Sequence, residues 1–536
     1  MTGQTHSAIE AASAMFSPRG RRILLAVLLA GACLVRIRHL DAPPLYFHAT
    51  RQFNSALTAR DLYLRFTPEA PAWRKDISAR NRQRKGVLEP PVMQLLAAGL
   101  WRLSGQEDLR IPRLAAILFW VAGGAVVYRI GRRVAGADGA LAAAAFFLFL
   151  PFGVSASRSF QPEALMVLLM LTSVSAVLWY FDQPTWGRLA GLAAATAAAI
   201  FVKPMSAPMI LGAYVGVGAS TRGLRKIILS PQSWVLALLG VLPTLVYYFC
   251  GIVVIGFISG SANATRVFWS LLLQETFWLD WLEVVWDVVG SVPFMLALLG
   301  VILAERGPAR ALLAGLWAGY LAYGMIFNYA MPTHDYYQLP LIAIVGLSLG
   351  VVAGRLMSAA PRGAGVRACV GGFLLLAAGT ASCYALSRLG GNPAEMKADV
   401  RIAREVGQVV SHSPRTIFLS PHYGAHVVYY GEISGRWWPN RPEFRLEELR
   451  NQPKVPAPER LKRYLREEPA DFFIVMDFAE WEAQADLREH LQATYPAVVR
   501  RPEYIIFDLT RPFATAASGP ASRAAPADKG QPAAGH

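Results

Sequence analysis

Long uncharged blocks alternate along the chain with short polar connections. Stretches such as LAAAAFFLFLPFGV (141–154) and ALMVLLMLTSVSAVLWYF (164–181) carry no charge and show no polar face. A helix that is apolar all round lies in lipid or in the core of a very large protein, and many such blocks in one chain decide for lipid. The first block, ILLAVLLAGACLV, follows SPRGRR (17–22) and runs on into RIRHL without a clean cleavage site. It reads as an uncleaved first span entering from the cytoplasm rather than a signal peptide. Further spans are predicted near 111–130, 139–157, 163–181, 188–202, 204–220, 233–256, 290–304, 310–329, 338–355 and 367–387. With the first they make about eleven, each near the roughly 20 residues that cross the hydrocarbon. The pair 188–202 and 204–220 meets at Lys203-Pro204, which predicts a tight hairpin there.

The segment PPVMQLLAAGLWRL (90–103) is short, opens with two prolines and carries Arg102. If it does not span, the basic clusters YRIGRR (128–133), TRGLRK (221–226), ERGPAR (305–310) and RLMSAAPRGAGVR (355–367) all face the cytoplasm. If it spans, all face outward, against the positive-inside rule. A re-entrant or interfacial helix is therefore expected, which leaves the 41–110 loop, the 256–289 loop, the 330–337 loop and everything after 388 outside.

Composition supports this picture. Of 536 residues 54% are hydrophobic and 16% charged, with a mean hydropathy of +0.34, against roughly a quarter charged in soluble domains. The net charge of +16 sits in clusters between apolar blocks, so it argues for membrane lipids as partners and against nucleic acid. Cys33, Cys250, Cys369 and Cys383 fall in apolar stretches with neither metal-ligand spacing nor a disulfide framework.

After about residue 390 charges become frequent. AEMKADVRIAREVGQVV (394–410) has helical periodicity, and TIFLS (416–420), DFFIVMD (471–477) and EYIIFDL (503–509) read as short buried strands. The expected class is therefore a mainly α, polytopic transmembrane helix bundle with a small C-terminal α/β extramembrane domain. The domains are a cytoplasmic N-terminus (1–20), a transmembrane domain (21–389, outer loop 41–110), a periplasmic α/β domain (390–512) and an Ala/Pro/Ser/Gly-rich disordered tail (513–536).

Ionisable groups at the ends of spans are costly to bury and are the natural candidates for chemistry. On the outer side these are His48, Arg51, Gln52 and Asp61 just past the first span, and Glu89 before two prolines. Glu163 and Arg158 lie at the start of a later span, Lys203 at the hairpin, and His334, Asp335, Tyr336 and Tyr337 after another outward run. A basic loop is most often a solvated surface, a lone lysine can merely snorkel, and interfacial tyrosines are often an aromatic belt. Their convergence on one face, without charge at mid-span, favours an enzyme working at the outer interface.

The order Arg51-Gln52, Glu89-Pro90-Pro91, Arg110-Ile111-Pro112-Arg113-Leu114, Tyr128…Gly131-Arg132-Arg133, Gln161-Pro162-Glu163, Lys203-Pro204 and His334-Asp335-Tyr336-Tyr337 resembles the family 39-type membrane glycosyltransferases of the C superfamily. These are relatives of protein O-mannosyltransferases and lipid A aminoarabinose transferases, and the likeness covers about residues 20 to 390. The resemblance implies a polyprenyl-phosphate-linked sugar as donor and a hydroxyl or phosphate of an envelope lipid, glycan or protein as acceptor. It also implies a bacterial inner-membrane location. Such enzymes need an acidic group to activate the acceptor and cations to stabilise the leaving phosphate.

The family's first-loop motif carries an aspartate, whereas His48-Ala49-Thr50-Arg51-Gln52 contains no carboxylate. The candidate bases are then Glu89, His48, Asp61 and Asp76. Arg51, Lys203 and His334 are the candidates for the lipid phosphate; Gln52, Asp335, Tyr336 and Tyr337 line the substrate pocket. The resemblance fixes no cofactor, and Glu89 and Glu163 could together hold a divalent metal ion. A lipid-linked glycan flippase would show facing polar groups at mid-membrane or internal repeats, and neither is seen. An inactive scaffold that binds lipid-linked sugar is the other alternative, supported by the missing aspartate.

Overall fold

The computed structural model describes residues 15–85, 89–258, 268–361, 363–388 and 392–513. The expected N-terminal stretch before residue 15 and the tail after 513 lie outside these residues. The chain is mainly helical and divides into two compact units, 1–409 with 425–432, and 410–424 with 433–536.

The first unit contains α1 (Pro18–Ile37), α2 (Ala49–Arg65), α3 (Ala72–Lys85), α4 (Val92–Ser104), α5 (Arg110–Val134), α6 (Gly136–Phe149), α7 (Glu163–Asp182), α8 (Trp186–Val202), α9 (Ala207–Arg222) and α10 (Pro231–Phe249). It continues with α11 (Glu275–Val289), α12 (Ser291–Leu303), α13 (Pro308–Ile326), α14 (Leu339–Ala359), α15 (Ala364–Arg388), α16 (Pro393–Val409) and α17 (Ala425–Gly431). Helices occur at all the expected spans, but they are unequal. Among the described residues five are long and apolar enough to cross a membrane: Arg110–Val134, Glu163–Asp182, Pro231–Val254, Asp335–Ala359 and Ala364–Ser387. Counting α11 and α12, which meet at a 95° bend, as one span makes six.

The others fall short for local reasons. The apolar run expected to span at 139–157 is broken after α6, because Pro151 opens a separate short helix, Pro151–Ala156; its ring and missing N–H cannot continue the preceding one. α8 and α9, of 17 and 16 residues, are separated by the turn at Lys203 and Pro204. α4 has 13 residues, about 20 Å of helix against a hydrocarbon core of roughly 30 Å.

Small residues bring the helices close. A Cβ on Gly212 would stand 2.0 Å from the Gly315 carbonyl oxygen, and one on Gly319 would stand 2.4 Å from that of Pro208. α9 and α13 therefore touch backbone to backbone, as small-residue stripes allow in membranes. The connection from α1 to α2 has no regular structure and is stitched by arginines. Arg113 donates to the carbonyls of Leu40 and Ala42 at 2.6 and 2.8 Å and to the Tyr46 hydroxyl, and Arg158 donates to Arg38 O at 2.5 Å. Buried Arg36 is satisfied by Ser157 Oγ, Ala32 O and Leu148 O.

A second set of buried charges joins α2, α3 and α17. Glu107 Oε1 accepts from Arg60 Nε at 2.8 Å and from the Tyr429 hydroxyl at 2.5 Å, while Oε2 accepts from Arg74 at 3.1 Å. Arg74 Nε also donates to Glu432 at 2.7 Å. The Arg60 guanidinium lies 3.7 Å over the Tyr429 ring and donates to the Tyr429 carbonyl. Burial opposes the Glu107 charge, but Arg60, the Tyr429 hydroxyl and Arg74 outweigh it and hold this carboxyl below the usual range.

The second unit is a five-stranded mixed sheet in the order β2-β1-β3-β5-β4. Its strands are β1 (Thr416–Leu419), β2 (Gly435–Trp437), β3 (Phe472–Val475), β4 (Ala497–Arg500) and β5 (Ile505–Asp508). β1 runs parallel to β2 and β3; β5 is antiparallel to β3 and β4. Alternate residues Ile417, Leu419, Phe473, Val475, Ile505 and Phe507 face a core completed by Trp438, Leu461, Trp481, Leu487 and Leu491. The three strands expected from apolar runs are all present. β2 and β4 were missed because one is three residues long and the other alternates half-buried with exposed positions.

Candidate active site

The turn into α2 sets the site. Phe47 and His48 adopt left-handed backbone, with φ of 36° and 54°, a conformation that non-glycine residues take at a cost of about 1–3 kcal/mol and that gathers at functional sites. The turn is pinned from behind by Gln52. Its Nε2 donates to the Tyr46 and Phe47 carbonyls at 2.9 and 3.0 Å, and its Oε1 accepts from Phe160 N at 3.0 Å. Gln161 adds a longer bond to the Phe47 carbonyl. Gln52 is thus buried support for the loop rather than the pocket wall expected from sequence.

One turn into α2, Arg51 reaches the first residue of α7. Arg51 Nη2 lies 2.7 Å from Glu163 Oε1, and the Lys203 ammonium lies 2.6 Å from the same oxygen. Lys203 comes from the extended residue between α8 and the Pro204–Ser206 turn, which places it on this carboxylate with a side chain only 2% exposed. Glu89 Oε1 stands 3.5 Å from the same ammonium, and the Glu89 carbonyl accepts from the Tyr247 hydroxyl at 3.4 Å.

Tyr336 and Tyr337, on the turn Asp335–Gln338 before α14, face both cations. The Arg51 guanidinium is 4.2 Å over the Tyr336 ring; Lys203 Nζ is 5.8 and 5.7 Å from the Tyr336 and Tyr337 rings. His48 meets the Tyr336 ring edge-on with centroids 4.7 Å apart, and its Nε2 lies 2.5 Å from Asp335 Oδ1. His334 packs against both tyrosine rings, and its Nδ1 pairs with Thr333 Oγ1 at 2.7 Å.

Nine of the residues singled out by sequence therefore form one cluster: Glu89, Glu163, Lys203, Arg51, Tyr336, Tyr337, His48, Asp335 and His334. Gln52 stands behind it. Asp61 does not join, because its carboxylate is held by Arg65 and Arg82 at 2.9 Å each, and Asp76 pairs with Arg80 at its own helix surface. Tyr323, which stacks on Tyr337, and the loop-stitching Arg113 were not assigned to the site from sequence; a buried arginine at a span end is the signal that marks the latter.

The electrostatics are compact. At its centre the two cations Arg51 and Lys203 meet the two carboxylates Glu89 and Glu163, with Asp335 beyond them on His48, yet the hydrogen-bonding capacity there is not spent. Arg51 Nε and Glu163 Oε2 are buried with no partner, and each such atom costs about 1–3 kcal/mol unless a ligand or water meets it. Burial opposes the charge on Arg51, but the Glu163 carboxylate more than offsets it and holds the guanidinium above its usual pKa. The expected Glu89–Glu163 metal pair does not suit a divalent ion. Lys203 already stands between the two carboxylates, and no group of three or more His, Cys, Asp or Glu side chains able to hold a metal occurs among the described residues.

The family described as dolichyl-phosphate-mannose-protein mannosyltransferase matches residues 88–248, the stretch that holds Glu89, Glu163 and Lys203. No curated protein matches the chain in sequence. In fold it is similar to ArnT from Cupriavidus metallidurans bound to undecaprenyl phosphate, with a TM-score of 0.56 and 16% identity over 90% of this chain and 97% of that one. It is also similar to the Archaeoglobus fulgidus oligosaccharyltransferase in complex with Zn and sulfate (TM-score 0.51, 12% identity, 88% and 71% covered). A further likeness is to AglB of the same archaeon with an inhibitory peptide and a dolichol-phosphate (0.52, 10%, 89% and 72%). The chain is thus an integral membrane protein whose fold, over nine-tenths of its length, is similar to that of these membrane proteins, and whose residues 88–248 match the dolichyl-phosphate-mannose-protein mannosyltransferase family in sequence.

Proposed function

We propose that this protein transfers a sugar from a polyprenyl-phosphate donor to an envelope lipid, glycan or protein. The observation that carries the reading is the Arg51–Glu163–Lys203 cluster, a buried ammonium and a half-buried guanidinium on one carboxylate, with the guanidinium Nε unpaired. As the bond between the anomeric carbon and the phosphate oxygen breaks, charge develops on that oxygen. Cations fixed in advance in a site shielded from water stabilise such charge at little reorganisation cost. Glu163 holds both in place, Glu89 balances Lys203, and the Tyr336 ring backs the Arg51 guanidinium while the half-buried Tyr337 beside it is assigned to the sugar. His334 packs against both rings and is assigned to the donor phosphate with the two cations.

The site is placed on the periplasmic face of an inner membrane, with the C-terminal sheet domain on the same side. The basic clusters 128–133, 221–226, 305–310 and 355–367 support this, since positive-inside sorting assigns them to the cytoplasm. The test is donor-lipid profiling. Deleting the gene should make one polyprenyl-phosphate sugar accumulate and remove a residue from one envelope component. An unchanged lipid and glycan profile would sink the proposal.

A further inference from the structure

We propose that His48, oriented by Asp335, is the base that deprotonates the acceptor, and that the acceptor is therefore a hydroxyl. The inference deepens the transfer reaction proposed above and rests on it. Three observations carry it. His48 is held in a left-handed conformation at the start of α2 by the Gln52 bonds to Tyr46 and Phe47. Its Nε2 is 2.5 Å from Asp335 Oδ1, so the ring proton lies on Nε2, and Nδ1 keeps a lone pair. Among the described residues Nδ1 makes no hydrogen bond.

The position suits the task. Tyr336 has the Arg51 guanidinium over its face and the His48 ring against it, nearly perpendicular with centroids 4.7 Å apart. The phosphate-binding cation and the base thus flank one aromatic ring, as an attacking and a leaving oxygen flank a sugar carbon. Glu89 lies on the cation side, against Lys203, where it balances charge. Asp335, 40% exposed against 28% for His48, acts through the imidazole and is a positioning residue.

In the step, the acceptor hydroxyl gives its proton to His48 Nδ1 and its oxygen forms the bond to the anomeric carbon. The bond from that carbon to the phosphate oxygen breaks with its electron pair, leaving polyprenyl phosphate on Arg51 and Lys203. The imidazolium, neutralised by Asp335, then returns the proton to water. An ionised phosphate acceptor has no proton to remove and needs no such base.

The experiment uses membranes from cells lacking the gene, in which the lipid donor has accumulated, mixed with purified full-length protein. Donor loss is followed by mass spectrometry, and binding of undecaprenyl phosphate is measured on each variant. His48→Gln should slow turnover by about 10²–10⁴-fold, the usual weight of general base catalysis, with binding retained. Asp335→Asn should lower kcat and leave KM, and added imidazole should restore turnover to His48→Gly, which no purely structural role predicts. Wild-type turnover in His48→Gln overturns the assignment, as does loss of undecaprenyl phosphate binding by that variant. A product bearing the sugar on phosphate overturns the hydroxyl. A wild-type protein that neither binds undecaprenyl phosphate nor consumes the donor overturns the transfer reaction itself.

Discussion

The helical unit holds two clusters of buried charge made from the same residue types. Around Glu107, both carboxylate oxygens, the Arg60 and Arg74 guanidiniums and the Tyr429 hydroxyl are all engaged. Around Glu163, one carboxylate oxygen and the Arg51 Nε are buried and unpaired, and Glu89 stays 3.5 Å from its cation. A network whose polar groups are satisfied rigidifies what it joins; one left incomplete costs stability that a ligand or water recovers. The Glu107 cluster is thus a strut between α2, α3 and α17, and the Glu163 cluster is the one proposed to receive a ligand.

That contrast is open to test from its largest consequence downward. Glu107→Ala strands buried guanidiniums and should cost about 3–5 kcal/mol, read as a lower melting temperature in detergent, with turnover per folded molecule unchanged. Reduced turnover at full stability would erase the distinction. Arg51→Gln should do the converse. Transfer falls about 10²–10³-fold, the weight of one fixed charge donor in a shielded site, with little change in melting because the Arg51 side chain is 28% exposed.

A smaller effect concerns acid. Glu107 has a lowered folded-state pKa, burial being outweighed by Arg60, Tyr429 and Arg74. Its contribution is therefore complete above the ordinary carboxylate value of about 4.3 and is lost as pH falls through the lowered folded value. The melting difference between wild type and Glu107→Gln should be constant near neutrality and shrink below about pH 4. A difference that grows on acidification would contradict the strut. Least in size, Lys85, whose pKa burial lowers to about 8 beside its partner Asn54, should react with an amine reagent with a pH midpoint near that value. Labelling that rises only in the range of an ordinary lysine, about 10.4, would show that the ammonium is solvated.

Much of this was legible without coordinates. Charge-free blocks located the helices, and their parity put Glu89, Glu163, Lys203 and His334 together. What stayed hidden depends on distance along the chain and on side-chain supply. His48 and Asp335 are 287 residues apart, and no spacing rule joins them. Asp61 looked like a spare carboxylate until Arg65 and Arg82 closed on it. Gln52 looked like a pocket residue because its polarity is visible in sequence, whereas the Tyr46 and Phe47 carbonyls that consume it are not. Glu107 is an unremarkable loop acid until Tyr429, 322 residues later, donates to it. The break after α6 shows the opposite case, where Pro151 was visible but its interruption of an apolar run was read as continuous.

The Gln52 side chain has a last consequence, for the speed of binding. Three hydrogen bonds from one side chain hold the turn at Phe47 and His48 in shape, so ordering entropy of that turn is spent during folding rather than at the encounter. Under the proposed function, a lipid phosphate arriving from the bilayer would meet a finished surface, its association limited by lateral diffusion and orientation rather than by waiting for this turn to order.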